Sequence, residues 1–76
     1  MTINDFLTEL AELLEIDGSL TIETSLADME EFDSLAIMSL IAFIDEAFDM
    51  TLSGEKLGEC NVVSDLISLI GKDKIN

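Results

Sequence analysis

Histidine, proline, tryptophan and tyrosine are absent from this sequence, and cysteine occurs only once. Without histidine, the chain lacks the base that Ser-His-Asp and Cys-His catalytic devices need near neutral pH. One cysteine and no histidine also cannot supply the ligands of the usual zinc sites. Cys60 has no partner for an internal disulfide, which fits a reducing compartment, and we interpret it as a small packed hydrophobe.

Turn-forming residues are scarce as well, since the chain has no proline and four glycines. An all-β fold of many short strands would lack its turns. Hydrophobic residues make up 49% of the sequence but aromatic residues only 5%, so the core must be aliphatic, as in packed helices. A chain of 76 residues is close to the lower limit for one core, and we expect a single domain over residues 1–76.

Basic residues are few, with three against seventeen acidic residues and a formal net charge of −14. This charge disfavours binding to nucleic acids and to anionic membranes, and it favours encounter with basic protein surfaces. No apolar run has the length of a membrane span, and the stretch 1–4 lacks the basic region of a signal peptide. We therefore expect a cytoplasmic monomer.

Two long amphipathic or apolar segments predict helices in the first two thirds of the chain. The first begins at Ile3, with Thr2 as its N-cap and Gly18 as a stop just beyond its end. The second runs from Ser34 to about Phe48. Their apolar stripes are Phe6, Leu7, Leu10, Leu13 and Leu14 in the first, and Ile37, Leu40, Ile41, Ile44 and Phe48 in the second.

Two further helices are predicted towards the end of the chain. Asn61 is placed to cap a helix that Gly71 ends, with the stripe Val63, Leu66, Ile67 and Ile70. The stretch 53–58 allows only one or two turns of a short, weak helix. The expected fold is all-α, a small bundle of three long helices and one short helix with a long ordered loop between the first two.

The segment from Gly18 to Asp33 is long for a connection in so small a domain, and such loops are usually functional or packed by their own side chains. The apolar residues that could anchor it are Leu20, Ile22, Leu26, Met29 and Phe32. Its acidic run does not form an EF-hand loop, because Asp33 occupies the position that requires glycine. We expect only weak, unspecific binding of divalent cations.

Ser34 is the serine with the most unusual position. It follows Asp33, opens the most apolar segment and comes directly after the long loop. A hydroxyl there would lie at a helix N-terminus, where free N–H groups and the helix dipole favour a phosphate group. Position alone leaves open that Asp33 or Ser34 is only an N-cap.

The stretch 32–35, Phe-Asp-Ser-Leu, resembles the phosphopantetheine attachment motif of acyl carrier proteins. The tripeptide alone is a weak signal, but the stretch 43–50, Phe-Ile-Asp-Glu-Ala-Phe-Asp-Met, is similar to the acidic end of the family's helix after the serine. The stretch 61–66, Asn-Val-Val-Ser-Asp-Leu, resembles the start of the family's last helix. The resemblance covers essentially the whole chain.

This resemblance implies that Ser34 carries a covalent 4′-phosphopantetheine arm, attached from coenzyme A by a separate phosphopantetheinyl transferase. The thiol of the arm would hold acyl intermediates as thioesters for loading, elongating and transfer enzymes, and the carrier itself would catalyse nothing. Asp33 would shape the attachment site. Leu35 would dock the transferase or sit against the core.

The helix after Ser34 departs from the acidic pattern of the familiar fatty-acid carriers, because Ala36 and Ser39 are uncharged and Met38 and Ile41 are apolar. If exposed, Met38 and Ile41 would bind apolar partner surfaces; alternatively, they pack inside. The acidic residues that would meet basic partner surfaces are Glu30, Glu31, Asp45, Glu46 and Asp49.

We therefore expect a specialised carrier in a fatty-acid, polyketide or related pathway, with housekeeping fatty-acid synthesis as the second choice. Two other interpretations remain open at this point. One is an unmodified acidic interaction module that uses Ser34 only as a cap. The other is an aminoacyl or peptidyl carrier, which shares the arm and the serine.

Overall fold

The computed structural model describes residues 1–18 and 20–76. Its four helices are α1 (Ile3–Leu13), α2 (Ser34–Phe48), α3 (Gly54–Gly58) and α4 (Val63–Ile70). In these ranges the backbone forms no strand, apart from an isolated bridge between Ser25 and Val62. The predicted all-α bundle with a short third helix is confirmed.

Helix α1 begins as predicted, but it ends earlier than predicted and not at a glycine. The N–H of Asp5 donates to the Thr2 hydroxyl at 3.1 Å, which confirms Thr2 as the N-cap. At the other end Glu15 adopts a left-handed conformation with φ 58°, and the N–H of Ile16 donates to the carbonyl of Ala11 at 2.9 Å. This is a Schellman motif with glutamate in the usual glycine position, so the prediction of Gly18 as the stop was wrong.

Helix α2 has the predicted bounds and runs antiparallel to α1. The ring of Phe6, near the start of α1, lies 6.3 Å from the ring of Phe43, near the end of α2. Conversely, Leu14 at the end of α1 and Leu35 at the start of α2 line one groove. The beginning of α2 therefore lies at the end of α1.

The short helix α3 packs on one side of α2. Its N-cap is Ser53, whose hydroxyl accepts a hydrogen bond from the N–H of Lys56 at 3.2 Å. A Cβ added to Gly54 of α3 would lie at ordinary van der Waals distance from α2, 3.5 Å from Ile37 and 3.7 Å from Ile41. Ile37 and Ile41 are half-buried.

The sequence suggested that the Asn61 side chain caps helix α4, but this prediction was wrong. Instead, the Asp65 carboxylate turns back and accepts hydrogen bonds from the N–H groups of Asn61 at 2.9 Å and Val62 at 3.2 Å. The long loop satisfies the next N–H groups. The carbonyl of Thr24 accepts from the N–H of Val63, and the carbonyl of Ile22 accepts from the N–H of Ser64.

The long loop is anchored by four of the five predicted apolar side chains. Leu20 and Leu26 are buried, while Met29 and Phe32 are half-buried against the core. The prediction for Ile22 was wrong, because its side chain is 41% exposed although its backbone binds α4.

The core is aliphatic, as expected, and extends beyond the last helix. Its fully or nearly fully buried side chains are Phe6, Leu10, Leu14, Leu20, Leu26, Ala36, Leu40, Ile44, Leu57, Cys60, Val63, Leu66, Ile67, Ile70 and Ile75. Cys60 is packed as predicted, and burial, together with Asp65 and Glu59, raises the pKa of its thiol. The sequence pattern, which ended at Gly71, missed the burial of Ile75.

Candidate modification site at the start of α2

Asp33, and not Ser34, is the N-cap of α2. The Asp33 carboxylate accepts a hydrogen bond from the N–H of Ala36 at 2.9 Å, and its carbonyl accepts from the N–H of Ile37 at 2.9 Å. Ser34 is thus the first residue of the helix, and its side chain is exposed. The capping role is filled by the neighbour, so the Ser34 hydroxyl is not needed to begin the helix.

The chain reaches Asp33 through a series of short turns that start from a buried anchor. Leu26 is 1% exposed, and its N–H donates to the carbonyl of Asn61 at 2.7 Å. The N–H of Met29 donates to the carbonyl of Leu26, and the N–H of Phe32 donates to the carbonyl of Met29. These bonds fix the path of the loop into Asp33.

Ser34 lies at the positive end of the α2 dipole, and exposed carboxylates surround it. The N–H groups of Ser34 and Leu35 have no carbonyl partner within the helix and lie at the positive end of its dipole. The first turn of α2 contains no acidic residue. Around it, Glu30, Glu31 and Asp33 are exposed carboxylates. A phosphate group is favoured by the helix end, whereas a protein approaching from outside meets negative charge.

The predicted docking residues on α2 differ in exposure. Leu35 is 74% exposed and Met38 is 65% exposed, so neither packs inside, and Leu35 does not sit against the core. Ile41 is half-buried and packs towards Gly54, so it contributes mainly to the α2–α3 contact. The predicted acidic contacts Glu30, Glu31, Asp45 and Glu46 are all exposed.

A groove of about 390 Å³ lies between the end of α1 and the start of α2. It is lined by Leu13, Leu14, Glu15, Glu31, Asp33, Leu35, Ala36 and Ser39. Glu15 was not predicted as a site residue, because only the left-handed turn after α1 brings it to the groove beside α2. The carboxylates of Asp33 and its neighbours do not make a metal site, since no group of three or more potential ligands converges in the described residues.

The comparison with known families concerns most of the chain. The family described as a phosphopantetheine attachment site matches residues 4–70, from the first turn of α1 to the end of α4. The chain belongs to this family. Its cofactor is therefore covalent 4′-phosphopantetheine, and the domain is a carrier rather than an enzyme. No curated protein and no solved structure matches the chain significantly. In the part of the chain described, no helix combines the length and apolar character that crossing a membrane requires.

Proposed function

We propose that residues 1–76 form one acyl carrier domain and that Ser34 is the attachment residue. The observation that carries this proposal is the exposed position of Ser34 at the start of α2, next to a separate capping residue. Two of the other serines are engaged: Ser53 caps α3, and the Ser25 hydroxyl donates to the Asp28 carboxylate at 3.1 Å. Ser39 and Ser68 are exposed as well, but both lie inside helices, whereas Ser34 is the first residue of its helix, where the resemblance to the attachment motif places the acceptor.

Attachment of the arm makes Ser34 the nucleophile of a reaction that the transferase catalyses. The Ser34 oxygen forms a bond to the phosphorus of the pantetheine phosphate in coenzyme A and loses its proton. The bond from that phosphorus to the nucleotide breaks, and adenosine 3′,5′-bisphosphate leaves. The chain has no histidine to act as base, and we place the base that accepts the proton on the transferase. When attached, the arm supplies a thiol that holds cargo as a thioester.

The chain's own residues present this serine and hold it still. Asp33 fixes the first turn of α2 through its bond to Ala36, and the buried Leu40 and Ile44 fix the rest of the helix. The N–H groups at the helix start are placed to favour the phosphodiester oxygens. The serine thus projects from a packed helix rather than from a loose loop.

The cargo that we propose is an acyl group of a specialised fatty-acid, polyketide or related pathway in the cytoplasm. The support is that Ala36 and Ser39 on α2 are uncharged where the familiar fatty-acid carriers are acidic, and that the apolar side chain of Met38 is exposed beside them. A partner that recognises this helix must offer apolar surface there and basic groups towards Asp45 and Glu46. An aminoacyl or peptidyl cargo is the alternative that the loading experiment distinguishes.

Intact-protein mass spectrometry tests the attachment. The chain is incubated with coenzyme A, magnesium and a broad-specificity phosphopantetheinyl transferase, and the adduct is located by peptide mapping. We expect one phosphopantetheine increment on Ser34, none in Ser34→Ala, and a normal increment in the matched control Ser53→Ala. Ser34 is not the cap, so Ser34→Ala should change the free energy of unfolding by less than about 0.5 kcal/mol.

Two results would contradict the proposal. One is a full increment in Ser34→Ala, which would place the arm on another residue. The other is no increment in the wild-type chain with several transferases, on protein that circular dichroism shows to be folded. Incubating the loaded carrier with acyl and aminoacyl donors and their ligases then separates the two cargo classes.

A further inference from the structure

A second groove, at the start of α1, is not explained by the modification site. It has a volume of about 400 Å³ and lies between the start of α1, the long loop, α4 and the stretch after α4. Four isoleucines from these segments line it: Ile3, Ile22, Ile67 and Ile75. We call it the isoleucine groove.

The isoleucine groove lies at the other end of α1 from Ser34. Ile3 is the first residue of α1, whereas Leu14, just after its last residue, lines the groove beside Leu35. At 1.5 Å per residue, the 11 residues of α1 span about 16 Å. A protein bound in the isoleucine groove therefore need not cover Ser34.

The large hydrophobic side chains that are exposed in the described residues form one pair at each of these two ends. Leu35 and Met38 lie at the start of α2, whereas Ile22 and Met1, which are 41% and 43% exposed, lie at the isoleucine groove. Ile22 lines the groove itself. The carbonyl of Met1 accepts a hydrogen bond at 3.0 Å from the N–H of Asn76, which also lines it. Exposed apolar surface that continues into a groove is typical of a binding site.

The charge of the isoleucine groove is opposite in sign to that of the chain. The sequence has seventeen acidic and three basic residues, yet none of the described residues that line the groove is acidic, and one of them is Lys72. The carboxylate of the neighbouring Asp73 lies close to Gly71 instead. Met1 and Asn76 are hydrogen-bonded to each other, so any charges at the two ends of the chain offset each other. An apolar group accompanied by a carboxylate therefore complements this groove.

The open form of the groove favours a protein segment over a small ligand. A small-molecule site usually encloses most of its ligand. Here Ile67 and Ile75 are buried and form the floor, while Ile22 and Lys72 are exposed at the rim. Such a shallow groove is suited to apolar side chains that project from a larger surface.

We propose that the isoleucine groove is a docking site for a partner protein and is separate from the surface around Ser34. The partner packs apolar side chains against Ile22 and the buried isoleucines, and it places an Asp or Glu carboxylate beside the Lys72 ammonium group. This chemistry is opposite to that of the basic partners expected near Ser34, so one carrier can bind both kinds of partner at once. The inference goes beyond the proposed function and does not depend on the identity of the attachment residue.

Selection of short random peptides displayed on phage, with the full chain as bait, tests this docking site. We expect enrichment of peptides that combine Leu, Ile or Phe with Asp or Glu. The net charge of the chain alone would instead enrich basic peptides. Backbone amide chemical shifts of the isotopically labelled chain then locate each synthetic peptide, and we expect the largest changes around Ile22 and Lys72.

Variants of the chain separate the apolar contact from the charge. Ile22→Gln should weaken the binding of the enriched peptides about tenfold, and Lys72→Glu about three- to tenfold at low salt. Replacing the acidic residue of the peptide by lysine should restore binding to Lys72→Glu. The matched controls are Met38→Gln on α2 and Lys56→Glu on α3, which change exposed side chains and should leave the affinity within about twofold. Circular dichroism checks that each variant is folded.

Four results would overturn the proposal. Enrichment of basic peptides that bind Ile22→Gln as well as the wild type would mean that only the net charge is recognised. Shift changes confined to α2 would assign the peptides to the surface around Ser34. Binding of decanoate but of no peptide would make the groove a small-ligand site, and no enrichment at all would mean that it binds no protein segment. None of these results affects the mass-spectrometric test of Ser34, and failure of that test would leave the docking site unaffected.

Discussion

Leu26 should be the side chain on which the position of the long loop depends most. It is 1% exposed and belongs to the core, whereas Ile22 in the same loop is 41% exposed. Replacing a buried leucine by alanine costs about 2 to 5 kcal/mol, because transfer energy is lost and a cavity remains. We expect about 3 kcal/mol for Leu26→Ala and less than about 1 kcal/mol for Ile22→Ala, which removes a partly solvated side chain.

This loss is large for a domain of this size. The chain of 76 residues should have a free energy of unfolding of roughly 4 to 11 kcal/mol. A loss of about 3 kcal/mol would then lower the melting temperature by roughly 12 to 24 °C. Urea denaturation followed by far-ultraviolet circular dichroism is the suitable assay, since the chain has no tryptophan or tyrosine to serve as a fluorescent probe.

The comparison between the two variants is what tests the reasoning. Equal losses for Leu26→Ala and Ile22→Ala would mean that exposure in the structure does not identify the anchor. A loss below about 1 kcal/mol for Leu26→Ala would mean that the loop does not depend on the core for its stability. In that case the bonded path from Leu26 to Asp33 could not be what holds Ser34 in place.

Three further predictions concern single positions. Asp33→Ala should cost about 1 kcal/mol of unfolding free energy because the cap of α2 is lost, while Asp33→Asn, which retains a capping oxygen, should cost only a few tenths in the same urea assay. Glu15→Gly should raise the melting temperature slightly, by the equivalent of about 0.5 kcal/mol, because glycine tolerates the left-handed conformation without steric cost; no gain would contradict the strain at φ 58°. Because the pKa of the Cys60 thiol is raised, the folded chain binds more protons than the unfolded chain in this pH range. The free energy of unfolding should therefore fall as pH rises from about 8.5 towards the raised pKa. Cys60→Ala should lack this contribution to the pH dependence of the free energy of unfolding.

The sequence predicted those elements whose ends are determined locally. Asp33 followed by a long apolar segment defines the start of α2 at Ser34, and both ends of this helix were predicted correctly. Thr2, which was also predicted as a cap, likewise accepts a hydrogen bond from the N–H of the residue three positions later. Such caps depend on side-chain chemistry within one turn, which a sequence pattern contains.

The wrong predictions concern helix ends and buried residues that depend on contacts with distant parts of the chain or on an unusual backbone conformation. The start of α4 was placed on the Asn61 side chain, but carbonyls of the long loop and the Asp65 carboxylate satisfy its first N–H groups. The end of α1 was assigned to Gly18, although Glu15 adopts the conformation that glycine usually takes. Ile75 was missed because its burial depends on a turn after α4 rather than on helical periodicity.

In the candidate site, too, the features set by local sequence were predicted and those set by distant contacts were not. Ser34 and Asp33 were predicted as site residues from the motif, and α2 does begin at Ser34 with Asp33 as its N-cap, but the groove beside them was not foreseen. It exists because α1 and α2 are antiparallel, which brings Glu15 next to Leu35 across a loop of many residues. A pattern along the chain contains no information about which distant carboxylate faces a given helix.

The hydrogen bonds that hold the long loop connect the start of α4 to the candidate site at Ser34. Asp65 binds the N–H groups of Asn61 and Val62, and the carbonyl of Asn61 accepts hydrogen bonds from Leu26 and Ala27. From Leu26, short turns lead to the cap of α2. A disturbance at the start of α4 is therefore transmitted through the backbone of the loop to the residue before Ser34. Since α2 itself is anchored by its own buried residues, such a disturbance should alter the approach to Ser34 before it unfolds the helix that bears it.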